Sequence, residues 1–267
     1  MTEGGDRIAS AITRARAAGR PAIAAYVTAG FPSRLAFPAV LREAAAASDI
    51  LEVGIPFSDP MADGVTIQRA SRIALIDGTT LSWTLQVLAA SLPSLLTPVV
   101  VMSYLNPLLA YGLPRLARDA AGAGVSGFIV PDLPLEEQGC LRPTISASGL
   151  AFVQMTTPAT PAPRLARIGA ASDGFVYAVT VNGTTGGRLD AVADLTGYLE
   201  RVRAATAHPV LAGFGVRTGK DIAASVPPAD GVVVGSALIA AIERGESPSA
   251  FLAGLVADSS RAMGARQ

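Results

Sequence analysis

The chain has 267 residues, half of them hydrophobic, with 21 basic side chains against 21 acidic ones. That length admits two ordinary domains or one large barrel, and the hydrophobic content supports an extensive buried core. Zero net charge without a basic tract disfavours nucleic-acid binding, and the most apolar stretch, 87–105, is broken by Pro93 and Pro98, so no run reaches the roughly 20 residues of a membrane span. The polar N-terminus has no apolar segment behind it, so no secretory signal is expected. A single cysteine, Cys140, allows no internal disulfide, and the expected location is the reducing cytoplasm.

An amphipathic helix is predicted over 7–18, and from there short β-rich runs alternate with Ala/Leu/Arg-rich helical runs. The spacing predicts strands at 22–28, 50–54, 98–103, 127–130, 150–155, 174–179, 209–212 and 231–234. Helices are predicted at 35–47, 81–92, 113–123, 136–148, 162–171, 195–205, 218–224 and 236–244, with a closing helix at 248–261. Gly19, Gly124 and Gly149 stand where helices should stop. Eight strand–helix units without a linker predict an α/β fold, one (β/α)8 barrel over 1–267 with an extra N-terminal helix. The competitor is a doubly wound sheet. It would carry fewer strands and a glycine fingerprint after the first, and Thr28-Ala-Gly-Phe-Pro-Ser33 is not one.

In such a barrel the C-terminal ends of the strands and the loops beyond them form the active face. Alternation along Ile50-Leu-Glu-Val-Gly-Ile55 puts Leu51, Val53 and Ile55 on one side and Ile50, Glu52 and Gly54 on the other. With the first set packed under helices, Glu52 points into the fold, where an ionised carboxylate is costly unless paired, hydrated or kept for chemistry. Asp63 follows in a Gly/Pro-rich loop. One histidine, His208, falls at the opposite end of the barrel, and the one lysine, Lys220, leaves little room for Schiff-base chemistry. Acid–base work therefore falls to carboxylates.

Gly213-Phe-Gly215 after strand seven and Gly235-Ser236 after strand eight occupy the two places where barrels commonly bind a phosphate. Tight barrel turns would also use these glycines, but both pairs together favour an anion. The loop 180–188 has the composition of a lid. Tyr177 reads as a core side chain whose hydroxyl could assist Glu52, and Asp132, flanked by prolines, as a cap on its own backbone.

With these pieces in place, the chain resembles the tryptophan synthase alpha family. The strongest match is Leu-Glu-Val-Gly-Ile-Pro-Phe-Ser-Asp-Pro-Met-Ala-Asp-Gly at 51–64, continuing to Gln68. Further matches at 26–30, 102–112, 130–137, 213–216 and 234–237 spread the resemblance over essentially the whole chain. It implies cofactor-free retro-aldol cleavage of indole-3-glycerol phosphate, with a pyridoxal-phosphate-dependent beta subunit as partner in an alpha2beta2 heterotetramer. It also implies that Glu52 is the acid/base, that Asp63 engages the indole N–H, and that Tyr177 is a nearby site tyrosine. Thr185 and Gly186 match the closing loop, and Phe214, Gly215, Gly235 and Ser236 the phosphate end. Val65 stands where the family commonly has proline. Val181-Asn182 stands where bacterial members more often carry Ser-Arg, a feature nearer to plant members that include stand-alone indole-releasing lyases. Two alternatives therefore stand beside the main expectation: a lyase that works alone, and a weakly active subunit that mainly activates a partner. Another phosphosugar barrel, such as an isomerase, is disfavoured because the active face offers no histidine or lysine.

Overall fold

In a computed structural model, residues 2–91, 96–180, 192–213 and 215–264 are described. The strands are β1 (Ala22–Thr28), β2 (Ile50–Gly54), β3 (Val99–Met102), β4 (Gly127–Ile129), β5 (Ala151–Thr156), β6 (Val176–Val179), β7 (Val210–Gly213) and β8 (Gly231–Val234). Each pairs in parallel with the next, and β8 pairs back to β1 to close the barrel. Nearly every strand residue is buried, as expected of parallel strands covered on both sides. The predicted ends of β1, β2 and β8 coincide with these, and those of the other strands differ by at most two residues.

The helices are α1 (Glu3–Ala17), α2 (Phe37–Ala46), α3 (Val65–Ile76), α4 (Leu81–Ser91), α5 (Leu105–Tyr111), α6 (Leu113–Gly122), α7 (Arg142–Ala147), α8 (Ala162–Ala171), α9 (Val192–Ala204), α10 (Gly219–Ser225), α11 (Ser236–Glu243) and α12 (Pro248–Gly264). Gly19, Gly124 and Gly149 end α1, α6 and α7 in the left-handed conformation, each with the paired backbone bonds of a Schellman cap, such as Gly19 N–H to Arg16 C=O and Arg20 N–H to Ala15 C=O.

Three segments depart from expectation. The long loop after β2 is shorter than predicted, because α3 begins at Val65 and buries Ile67, Ala70, Ser71 and Ala74 at helical spacing. The segment after β3 contains α5, whose Pro107 falls within the first turn, where its missing N–H costs no helical bond. The single helix predicted over 136–148 divides into a 3-10 turn, Leu135–Cys140, and α7, because Pro143 near the start of α7 breaks the ladder between them. Among the described residues no single helix is long and apolar enough to cross a membrane.

The N-terminal end of the barrel is stitched by aspartates. Asp49, Asp173 and Asp230, lying just before β2, β6 and β8, accept backbone N–H groups of the preceding strand at Ile23 (2.9 Å), Phe152 (3.1 Å) and Val210 (2.7 Å). Asp230 also receives Arg16 at 2.7 Å and Arg203 at 2.8 Å, so its buried charge is compensated and α1 and α9 are tied to the barrel floor. His208 lies at this end too, its N–H bonded to Thr206.

Candidate active site

A cavity of about 690 Å³ opens at the C-terminal ends of the strands. Glu52 projects into it from the middle of β2, level with Tyr26 on β1 and Val100 on β3, as the strand alternation requires. It is 2% exposed, and its Oε2 has no hydrogen-bond partner. Burial, reinforced by the charge of Asp63, raises its pKa to about 8. Glu52 is therefore mainly a carboxylic acid at neutral pH.

Asp63 lines the same cavity from the loop between β2 and α3. Burial raises its pKa to about 6, and a hydrogen bond from the Tyr104 hydroxyl opposes that rise. Tyr104 in turn accepts the Ala62 N–H at 2.9 Å, and its ring stacks on Phe57 with centroids 5.1 Å apart. From the other side the Gln68 side chain donates to the Asp63 carbonyl at 2.8 Å. The loop is thus clamped on both flanks of its carboxylate, which stays ionised at pH values where Glu52 is protonated.

Two tyrosines lie flat against barrel glycines. A Cβ on Gly213 would sit 2.4 Å from both Cε1 and the hydroxyl of Tyr177, and one on Gly54 would sit 2.1 Å from the hydroxyl of Tyr26. Both tyrosines line the cavity, and each glycine makes room for the ring on the neighbouring strand. At the far end are Gly215, Gly235 and Ser236. Gly215 has φ +92°, which a side chain would strain, and Ser236 opens α11 behind Gly235, so the unpaired N–H groups of that helix start face the mouth of the barrel. His208 and Lys220 are not among the lining residues.

Of the residues expected from sequence, Glu52, Asp63, Tyr177, Gly215, Gly235 and Ser236 meet in this cavity. Thr185, Gly186 and Phe214, with most of the expected lid, lie outside the described residues. Asp132 is structural as expected, but it caps α5 rather than its own backbone, accepting the Leu105 N–H at 2.9 and 3.2 Å. Tyr104, Tyr26 and Gln68 carry parts of the site that sequence reasoning left without a role. Position could have flagged Tyr104, a lone tyrosine just past the C-terminal end of a strand. The arrangement suits a reaction that protonates one atom, stabilises a cation beside it and holds an anionic group at the far end.

Known proteins match this chain over nearly its whole length. The family model described as tryptophan synthase alpha chain matches residues 12–262. The tryptophan synthase alpha chain of Desulfovibrio desulfuricans is 42% identical over 91% of this chain and 96% of its own length, and that of Chloroflexus aurantiacus 44% identical over 89% and 90%. Among solved structures, tryptophan synthase subunit alpha from Legionella pneumophila superposes with a TM-score of 0.86 at 30% identity, covering 99% of both chains. A chain of tryptophan synthase from M. tuberculosis superposes at 0.84 and 35% identity, covering 94% of this chain and 98% of its own.

Proposed function

The chain belongs to the tryptophan synthase alpha chain family, and on that premise we propose that Glu52 and Asp63 carry its lyase chemistry. The reaction cleaves indole-3-glycerol phosphate to indole and glyceraldehyde 3-phosphate. Breaking the bond between indole C3 and the adjacent glycerol carbon needs a proton on C3, loss of the hydroxyl proton on that carbon, and stabilisation of positive charge on the ring nitrogen. Glu52 as an acid delivers its proton to C3. The resulting carboxylate accepts the hydroxyl proton as the C–C bond breaks and the aldehyde forms, which restores the acid. Asp63 as an anion accepts the indole N–H and stabilises the cationic intermediate. Acid–base assistance of this kind is worth about 10²–10⁴ in rate, or about 3–5.5 kcal/mol of barrier. Gly215, Gly235 and Ser236 hold the phosphate, with Phe214, Thr185 and Gly186 as further contacts and Tyr177 beside Glu52.

One observation carries the assignment. Two buried carboxylates share one cavity, and their environments place the pKa of one near 8 and that of the other near 6. Indole release from indole-3-glycerol phosphate, compared between the parent and Asp63→Asn, tests it. The proposal expects loss of most activity, because a neutral amide does not stabilise the cation, and near-parental turnover contradicts it.

Alpha chains of this family work with a beta subunit, and we propose the same for this one, as an alpha2beta2 assembly acting in the cytoplasm. Met61 and Val65, 73% and 77% exposed, and Leu109 on α5 give the loops and helices around the cavity mouth exposed apolar side chains that suit a cover. Co-elution with the beta subunit of the same organism, and an indole-forming rate raised at least roughly tenfold, or about 1.4 kcal/mol of coupling, are expected. Full activity with neither effect would instead indicate a lyase that works alone.

A further inference from the structure

We propose that Tyr26 determines specificity for the substrate's three-carbon chain, its phenol hydroxyl reading the hydroxyl groups that lie between the reacting ring and the phosphate. The inference rests on the anion end and the carboxylate pair assigned above, and its support is the direction in which this side chain runs. Its root lies beside Gly235, where an added Cβ would find Tyr26 Cβ and Cδ1 at 3.7 and 3.8 Å. Its tip lies over Gly54, where an added Cβ would find the hydroxyl at 2.1 Å. One side chain thus spans the cavity wall from the phosphate end to the strand that carries Glu52. A chain joining the indole to the phosphate must run along it.

At the root of Tyr26 the wall is apolar. Ile67, which also lines the cavity, flanks Tyr26 at Gly235, with its Cδ1 3.8 Å from the same added Cβ. A phenylalanine would line that wall equally well, so the hydroxyl adds a polar reading and little packing. Burial pushes the phenol pKa well up, the charges of Asp63 and Glu52 add to the rise, and a hydrogen bond with the Thr28 side chain opposes it without reversing it, so the group remains a neutral donor at any working pH. A site hydrogen-bonded to a substrate hydroxyl discriminates against the analogue that lacks it.

Equilibrium binding of glycerol 3-phosphate, n-propyl phosphate and inorganic phosphate to the full chain and to Tyr26→Phe tests this. The parent should prefer glycerol 3-phosphate over n-propyl phosphate by roughly tenfold, and the variant by about threefold or less, with inorganic phosphate bound equally by both. In turnover, the variant should raise KM for indole-3-glycerol phosphate more than it lowers kcat. Retention of the parental preference by Tyr26→Phe overturns the inference, as does a parent with no preference, or a variant that loses kcat a hundredfold at unchanged KM. Failure of all three phosphates to bind the parent overturns the phosphate end itself, and with it the ground on which this inference stands.

Discussion

Glu52 sits where a charge is least welcome, and the proposed chemistry uses that discomfort. Its folded-state pKa of about 8 lies above the ordinary 4.5, so its contribution to stability is complete below about pH 4.5 and is lost as pH rises through about 8. Glu52→Gln keeps the shape and removes the ionisation. It should therefore be more stable than the parent at pH 8–9, by on the order of 4 kcal/mol in denaturant unfolding, and equal to it near pH 4. Asp63 must be ionised and Glu52 protonated in the free enzyme, so kcat/KM should fall below about pH 6 and above about pH 8. The charge of Asp63 contributes to the basic limb, because it raises the pKa of Glu52. Tyr104 separates the two limbs further. Tyr104→Phe removes the hydrogen bond that holds Asp63 down, so the acid limb should move to higher pH while the basic limb stays in place. An acid limb unmoved in that variant would show that Tyr104 does not govern Asp63.

Among elements, the segment from β2 into α3 is the most informative, and it also marks where sequence reading succeeds and stops. Alternation alone puts Glu52 inside and Leu51 and Val53 under the helices, because a strand has only two faces. The start of α3 was hidden, because Gly64 and the Pro-rich run before it read as a longer loop. Val65 occupies the first helical position there, and Gly64 before it is extended at φ −73°, ψ 163°. That geometry accepts proline without strain. Val65→Pro should raise the melting temperature by about 1–3 °C through reduced unfolded-state entropy, with indole formation retained. A lower melting temperature would mean that the loop relies on a freedom that proline removes. Tyr104 is silent in the sequence because Ala62 and Asp63, far earlier in the chain, reach it only in the folded barrel, and Gln68 because its bond to the Asp63 carbonyl depends on the hidden start of α3.

The whole molecule divides its labour between two ends. Strand order and the mouth of the barrel were legible because each unit repeats one pattern, and the resemblance picked out the same loops; the extra helices α3 and α5 were not. The aspartate stitches at the floor were not, since an aspartate before a strand looks like any turn residue until the neighbouring strand arrives. Asp230→Ala should cost about 1–3 kcal/mol, because it strips the Val210 N–H and two arginines of their partner while leaving kcat unchanged. A fall in kcat without a loss of stability would contradict that division. Cleavage as proposed turns on proton transfer by one buried carboxyl group. Its most direct test is the rate of indole release from saturating indole-3-glycerol phosphate by Glu52→Gln beside the parent, with substrate affinity measured on both. A drop of at least about 10²-fold at little-changed affinity is predicted; turnover within a few-fold of the parent would contradict it.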